Sequence, residues 1–391
     1  MLITNGRLLA PEGAVVGKAL LIRGGKIAAI CDAADAPADD FVIDAKGQYV
    51  APGLIDLHVH GAAGGDFCDG TYDEVCHIAR FYARCGVTGL CATIASCPVP
   101  QLHQALAALR EAMQRGTGGS AIIGAHLEGP FFNPARKGCH LGKYLRRPTS
   151  DQYQDILEQR DVVKHITLAP ELDGALECIR RLAAAGIVVS GGHSNATAQT
   201  ILDAIRAGMT HTTHLWSAMS GVTKDGPYRH AGLVETILLD DRLTTEIIAD
   251  GHHLPAELMK LAFKCKGRDR LCLVSDAMRG TGMPAGGQYT FGGRDGQIAI
   301  MEPGVAVMPD RSGFASSTTP LNRIVATAIR MMGISLADAI HMASLTPARV
   351  LRIDATKGSL EAGKDADVVV FDDPAEVTCT IVAGQVAWER G

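Results

Sequence analysis

The chain has 391 residues, 47% hydrophobic and 20% charged, which is enough apolar material for a large buried core, and no low-complexity segment interrupts it. A formal net charge of -5 leaves no basic footprint for nucleic acid or an anionic membrane surface, and no apolar stretch approaches the roughly eighteen residues of a membrane span. Eleven cysteines without a Cys-x-x-Cys pair, and a start (Met1-Leu2-Ile3-Thr4-Asn5-Gly6) lacking a basic segment and a long apolar run, argue against a disulfide framework and an export signal, so a cytoplasmic location is expected.

The first fifty residues read as short strands separated by turns. Runs at 20–23 and 26–30 flank Gly24-Gly25, a hairpin signal, and runs at 41–44 and 48–50 flank a turn at Lys46-Gly47. The pattern then changes. Short apolar runs at 54–58, 87–92, 121–127, 166–169, 187–190, 209–213, 245–249 and 271–275 alternate with segments of helical period such as 101–113 and 175–185, the second ended by Gly186. Eight buried strands alternating with helices predict an α/β fold, a parallel sheet closed into a TIM (β/α)8 barrel. A doubly wound open sheet is the alternative, but no Gly-x-Gly-x-x-Gly follows a strand. Runs at 367–371, 379–382 and 385–388 return to the character of the start. Two β-rich ends around a different middle predict a small β-sandwich domain built from both termini, residues 1–52 and 354–391, with a barrel domain at 53–353.

In such a barrel the chemistry sits where strands end. Asp56-Leu57-His58-Val59-His60-Gly61 holds two imidazoles two residues apart, and an extended strand points both toward one place, as a divalent metal requires. Taken alone, each such residue is more often structural than functional. The ends of later runs repeat the type, however: Glu128 after His126-Leu127, His193 after Gly191-Gly192, His214 after Thr212-Thr213, and Asp276 after Val274-Ser275. Their common position predicts a metal centre of His58, His60, Glu128, His193 and His214, and so a barrel of the metal-dependent hydrolase type. Imidazole with carboxylate suits zinc in the first place, and iron, manganese or cobalt as well. Glu128 can bridge two ions about 4 Å apart, one on His58 and His60 and one on His193 and His214. A single ion on Glu128, His193 and His214 also suffices. Asp276 is expected to act as general base on an activated water and then as general acid to the leaving group, which makes the reaction metal-assisted hydrolysis of a C–N bond. Ser194, Asn195 and Thr197 read as supporting or helix-capping groups.

Longer strings run in order over nearly the whole chain: Pro52-Gly53-Leu54-Ile55-Asp56-Leu57-His58-Val59-His60-Gly61, His126-Leu127-Glu128-Gly129-Pro130-Phe131-Phe132, Lys137-Gly138-Cys139-His140, Gly192-His193-Ser194-Asn195-Ala196-Thr197, Thr213-His214-Leu215, Ala249-Asp250-Gly251-His252-His253, Val274-Ser275-Asp276-Ala277 and His341-Met342-Ala343-Ser344-Leu345-Thr346-Pro347-Ala348. Together they resemble the amidohydrolase superfamily and, within it, the N-acetylglucosamine-6-phosphate deacetylase family. The resemblance implies a hydrolase releasing acetate from the 2-acetamido group of a phosphorylated amino sugar. By position it makes Asp276 the proton shuttle, His140 the group that polarises the acetyl carbonyl, and His253 a sugar contact. It further implies a pocket containing Cys139, Phe314, Ala315 and Ser316, and phosphate held by backbone groups near Ser217 and Ala218 together with Arg229. In the family that arginine comes from the neighbouring subunit, so a homodimer with shared active sites is implied. A turn of successive N–H groups with a bidentate arginine is physically suited to an anion. On residue type alone, Arg229 reads equally well as a solvated surface group.

Four departures bear on the substrate. Trp216-Ser217-Ala218-Met219 stands where the family usually carries an asparagine after the aromatic residue, and the loop at 221–228 is longer than usual. Ser316 replaces a family glycine and is expected to narrow the pocket. His252 replaces an apolar residue, a pair with His253 that resembles N-acetylgalactosamine-6-phosphate relatives. The same centre also suits another amidase or deaminase of the superfamily acting on a different small substrate. Many of those bridge their metals with a modified lysine at the end of the fourth strand, whereas Lys164 precedes that strand here. A non-catalytic scaffold is disfavoured because no ligand is missing.

Overall fold

The computed structural model describes residues 1–10 and 13–391. Its centre consists of eight short strands that share one direction: β1 (Leu54–Val59), β2 (Val87–Ala95), β3 (Ala121–Glu128), β4 (Val163–Leu168), β5 (Val188–Gly191), β6 (His211–Thr212), β7 (Thr245–Ile248) and β8 (Leu271–Val274). Every residue of β1, β2, β5, β7 and β8 is buried, the signature of a parallel sheet covered on both faces. This is why the runs read as continuously apolar rather than alternating. β6 to β1 form a six-stranded parallel sheet in the order β6-β5-β4-β3-β2-β1, and β7 pairs with β8 in parallel. Backbone bonds also join the two groups. The amides of Thr212 and Leu215 donate to the carbonyls of Thr244 and Glu246 at 3.0 and 2.8 Å, and those of Asp276 and His60 donate to His58 and Ala277, both at 2.8 Å.

The connecting helices begin and end where local chemistry dictates. The helix Tyr72–Ala83 starts at Thr71, whose hydroxyl accepts from the Glu74 amide at 3.2 Å, and Ala198–Ala207 starts at Thr197 in the same way. The Thr197 cap agrees with the sequence reading. Ala175–Ala184 ends just before Gly186, as the sequence predicts.

Both termini contribute to the same sheets. Gln385–Glu389, Val377–Val382, Val368–Phe371, Tyr49–Pro52, Arg7–Ala10 and Gly13–Val15 form a six-stranded sheet in that order, and Lys26–Asp32, Lys18–Arg23, Leu2–Thr4 and Val42–Asp44 form a four-stranded one. Ile3, Leu20 and Ile27 from the second sheet meet Val50, Val368 and Ile381 from the first in one buried cluster. The turn at Lys46 and Gly47 therefore passes the chain from one sheet to the other rather than closing a hairpin.

One element went unforeseen. After β8 the strands Gln288–Phe291, Gln297–Glu302, Val305–Val307 and Phe314–Ser317 form an antiparallel sheet, tied back by a bridge between Ala277 and Ser317. Its strands are short and the first two are half exposed, so they lack the continuous apolar signal of the central eight.

Gly61 shows how tightly the end of β1 is held. A Cβ there would lie 2.1 Å from the Gly65 carbonyl oxygen and 2.9 Å from Asp66 Cα, both backbone atoms that cannot swing aside. Gly61→Ala is expected to displace the neighbouring His60 and to cost about 1–3 kcal/mol of stability, read as a lower urea midpoint at unchanged slope.

Candidate active site

Three of the residues that define the site leave their strands in the same way. His193, His214 and Asp276 each lie two positions beyond the last residue of β5, β6 and β8, and each takes a left-handed backbone, with φ of 49°, 34° and 46°. Non-glycine residues avoid this region, and each such turn costs on the order of 1–3 kcal/mol, so it persists only where the surroundings enforce it. Each turn follows a strand end held in the parallel ladder, and the three side chains converge.

They converge on Glu128, the last residue of β3, which is 2% exposed. Its Oε1 lies 3.1 Å from both His193 Nε2 and His214 Nε2 and 3.5 Å from His58 Nε2, while Oε2 lies 3.0 Å from His140 Nε2 and 3.3 Å from His60 Nε2. Asp276 Oδ1 stands 3.4 Å from His58 Nε2 and 3.3 Å from His60 Nε2. Two metal-capable groups result, Glu128 with His193 and His214, and His58 with His60 and Asp276. Glu128 lies between them, with Oε1 toward His193, His214 and His58 and Oε2 toward His60. The six strand-end residues read from the sequence are thus brought together, and Asp276 joins one of the metal-capable groups.

The outer faces of the rings fix which nitrogen points inward. His193 Nδ1 donates to the Arg136 carbonyl at 2.8 Å, and His58 Nδ1 donates to Glu246 Oε2 at 3.1 Å, which leaves each Nε2 directed into the centre. His140 is reversed: its Nδ1 accepts from the Ser96 amide at 3.3 Å, so Nε2 carries the proton. Phe132 stacks on His193 at 4.1 Å, and Phe291 packs on His60 at 4.5 Å.

Charge follows the same plan. Burial opposes ionisation of Glu128, but the His140 and His58 rings more than offset it and hold the carboxyl well below its usual range. Burial likewise opposes a proton on His58 and His60, yet the surrounding carboxylates raise His58 well above an ordinary histidine and His60 to about 9. His193 is carried down to about 4 by burial. Asp56, fully buried beneath the site, is pushed up to about 7 by burial, against hydrogen bonds from Ser275 and His58.

A cavity of about 250 Å³ opens on this centre. Its wall includes Glu128, Cys139, His140, His193, His214, Ser217, Ala218, His253, Asp276, Phe291, Phe314 and Ala315. His58 and His60 lie beneath it, fully buried. His253 Nδ1 pairs with Asp250 Oδ2 at 2.7 Å, so its other nitrogen is available, and its ring sits 4.9 Å from Phe314. Trp216 and Ala218 take left-handed φ values of 75° and 51° on either side of Ser217.

One expectation fails within the chain. Ser316 does not narrow the cavity, because its hydroxyl turns back to donate to the Asp276 carbonyl and it lines none of the wall. Arg229 does not reach the cavity of its own chain; it stands exposed on a hairpin of Thr223–Asp225 and Tyr228–His230, formed by the long loop noted in the sequence. His252 also lies outside the wall.

The sequence reading missed the layer below. Glu246 on β7 is fully buried and forms a third metal-capable group with His165 and His211. The signal was present, since an acidic residue inside the run Thr245-Glu246-Ile247-Ile248 has no reason to be there unless partners await it. Asp250, which orients His253, went unassigned for want of a sequence cue beyond adjacency.

Comparison with known proteins agrees with this geometry. A profile described as the amidohydrolase family matches residues 49–387. An N-acetylgalactosamine-6-phosphate deacetylase of Escherichia coli O157:H7 is 37% identical over 382 residues, covering 97% of each chain, and an N-acetylglucosamine-6-phosphate deacetylase of Vibrio furnissii is 38% identical over 339 residues, covering 86% of this chain and 82% of its own. The crystal structure of N-acetylglucosamine-6-phosphate deacetylase from Pasteurella multocida superposes with a TM-score of 0.92 at 29% identity, over 100% of this chain and 99% of that one. From the matched profile, the relatives and the shared fold, the chain belongs to the amidohydrolase family, in its N-acetyl amino-sugar-6-phosphate deacetylase branch.

Proposed function

We propose that this protein removes the acetyl group from an N-acetylated amino-sugar 6-phosphate, giving acetate and the amino-sugar phosphate. The observation that carries the reading is the bridging position of Glu128 between two imidazole groups, at the floor of one cavity, in a chain whose relatives bear that name. The glucosamine and galactosamine epimers are the substrates named among those relatives.

The donor set fits a divalent ion. His58 Nε2 and His60 Nε2 are buried with no hydrogen-bond partner among the described residues, and the Nε2 atoms of His193 and His214 stand 3.0 Å apart beside Glu128 Oε1, close enough to share one cation. Glu128, His193 and His214 would hold one ion, and His58, His60 and Asp276 a second; zinc is the ion proposed, and iron, manganese or cobalt suit the same donors. A divalent ion so placed supplies Lewis acidity and lowers the pKa of water to about 7.

The remaining work falls to the chain. Asp276 takes a proton from the attacking water as its oxygen bonds to the acetyl carbon, and returns that proton to the amine as the C–N bond breaks. His140, protonated on Nε2, donates to the acyl oxygen, where negative charge develops. His253, held by Asp250, meets a sugar hydroxyl, and Cys139, Phe314 and Ala315 shape the pocket. The alternating turn at Trp216, Ser217 and Ala218 suits a phosphate. Arg229, exposed on its hairpin, would complete the phosphate site of a second subunit, which makes the working unit a homodimer.

The same reading extends to the frame. Backbone bonds from β6 to β7 and from β8 to β1 support a closed (β/α)8 barrel over residues 53–353, and the core shared by both termini supports a separate β-sandwich of residues 1–52 and 354–391. Eleven free cysteines, most of them buried, suit a cytoplasmic protein. No helix among the described residues is long and apolar enough to cross a membrane.

The direct test is acetate release from N-acetylglucosamine- and N-acetylgalactosamine-6-phosphate and from both unphosphorylated sugars. Release from a phosphorylated sugar is expected, and none from any of the four would overturn the assignment. Arg229→Ala should raise KM for the phosphorylated substrate about 10–100-fold, in keeping with loss of a charge-assisted pair, and leave the unphosphorylated one nearly unchanged. Asp276→Asn should lower kcat about 10²–10⁴-fold while the circular dichroism and unfolding midpoint stay close to those of the parent.

A further inference from the structure

Glu246 is a buried charged group of the central strands that the chemistry above does not use. It sits on β7, 0% exposed, paired in register with Cys272 of β8. Burying a carboxylate costs several kcal/mol unless charge and hydrogen bonds compensate it, so its partners identify its task. Oε2 accepts from His58 Nδ1 at 3.1 Å and from the His214 amide at 3.2 Å; Oε1 lies 3.3 Å from His211 Nε2. Thus one carboxylate touches a residue of each metal-capable group.

The two contacts differ in consequence. The end of β6 has other anchors, because the Thr213 amide donates to Gly191, the Leu215 amide to Glu246 and the Ser217 amide to the His214 carbonyl. The His58 ring has one partner at Nδ1, and that partner is Glu246. His60, the other imidazole of that group, has no partner at Nδ1 among the described residues. Among the described residues, Glu246 is therefore the group that holds the outer edge of the first-strand pair, at His58 Nδ1.

We infer that Glu246 is a positioning residue: it fixes the His58 ring with Nδ1 protonated and Nε2 aimed inward, and so governs occupancy of the site formed by His58, His60 and Asp276. The inference rests on the metal reading proposed above. A carboxylate behind a ligating histidine raises its basicity and holds its tautomer, and loss of such a partner weakens metal binding by about 10–100-fold. His211 balances the other carboxylate oxygen. Its Nδ1 lies 2.6 Å from the Thr244 hydroxyl, so the chain of contacts returns from β6 to the residue that precedes β7.

The test is Glu246→Gln, which keeps shape and removes charge. Zinc content and affinity would be measured on the variant and the parent by dialysis against buffered zinc, with cobalt spectra as a second readout. The expected result is a parent holding two ions per chain and a variant in which one ion binds about 10–100-fold more weakly while the other keeps its affinity. Two ions bound by the variant as tightly as by the parent, equal weakening of both, or a parent that holds one ion only would overturn the inference. A parent that binds no ion would instead refute the metal reading itself. Should the variant not fold, 15N labelling of the parent decides: His58 protonated at Nδ1 in the zinc-loaded protein is expected, and protonation at Nε2 overturns the role.

Discussion

A carboxylate with five imidazoles around it organises this protein. Glu128 is almost wholly buried, yet His58, His60, His140, His193 and His214 each bring a nitrogen within 3.5 Å of it. In a site of low polarity such a charge is tolerable only with opposite charge close by, and no single element can supply that many partners. The parallel ladder can. It places the ends of β1, β5, β6 and β8 around the end of β3, so residues more than two hundred positions apart in sequence become neighbours.

The ladder alone would leave those side chains splayed. Left-handed turns at His193, His214 and Asp276 bend the chain sharply beyond each strand, at a conformational cost that the flanking backbone bonds must offset. Strain gathered at three equivalent positions marks this face of the sheet as the working one. The opposite ends of the strands carry no comparable set of outliers among the described residues. Behind the ligands a second tier of partners, among them Glu246, Arg136 and Asp56, selects tautomers and holds main-chain direction.

Much of the site was legible in advance because the central strands bury both faces. Their runs of apolar residues stand out, and a histidine or carboxylate at the end of such a run is conspicuous. His58 and His60 announce themselves by spacing of two, and Glu128, His193, His214 and Asp276 by position. What escaped the reading lacked that contrast. Glu246 lies inside a strand instead of at its end, Asp250 is one acid among many, and the antiparallel sheet after β8 is built from short strands, the first two half exposed. The pocket role expected for Ser316 failed because a serine hydroxyl takes the nearest carbonyl, here that of Asp276.

The sequence by itself determined which residues are available for chemistry and that they stand at strand ends, since period and burial are local properties of the chain. It could not determine which nitrogen of each ring faces inward, or that Asp276 stands within 3.4 Å of both His58 and His60. Those are matters of partners brought from distant segments, and only the packing of the strands, with the register and turns it imposes, decides them.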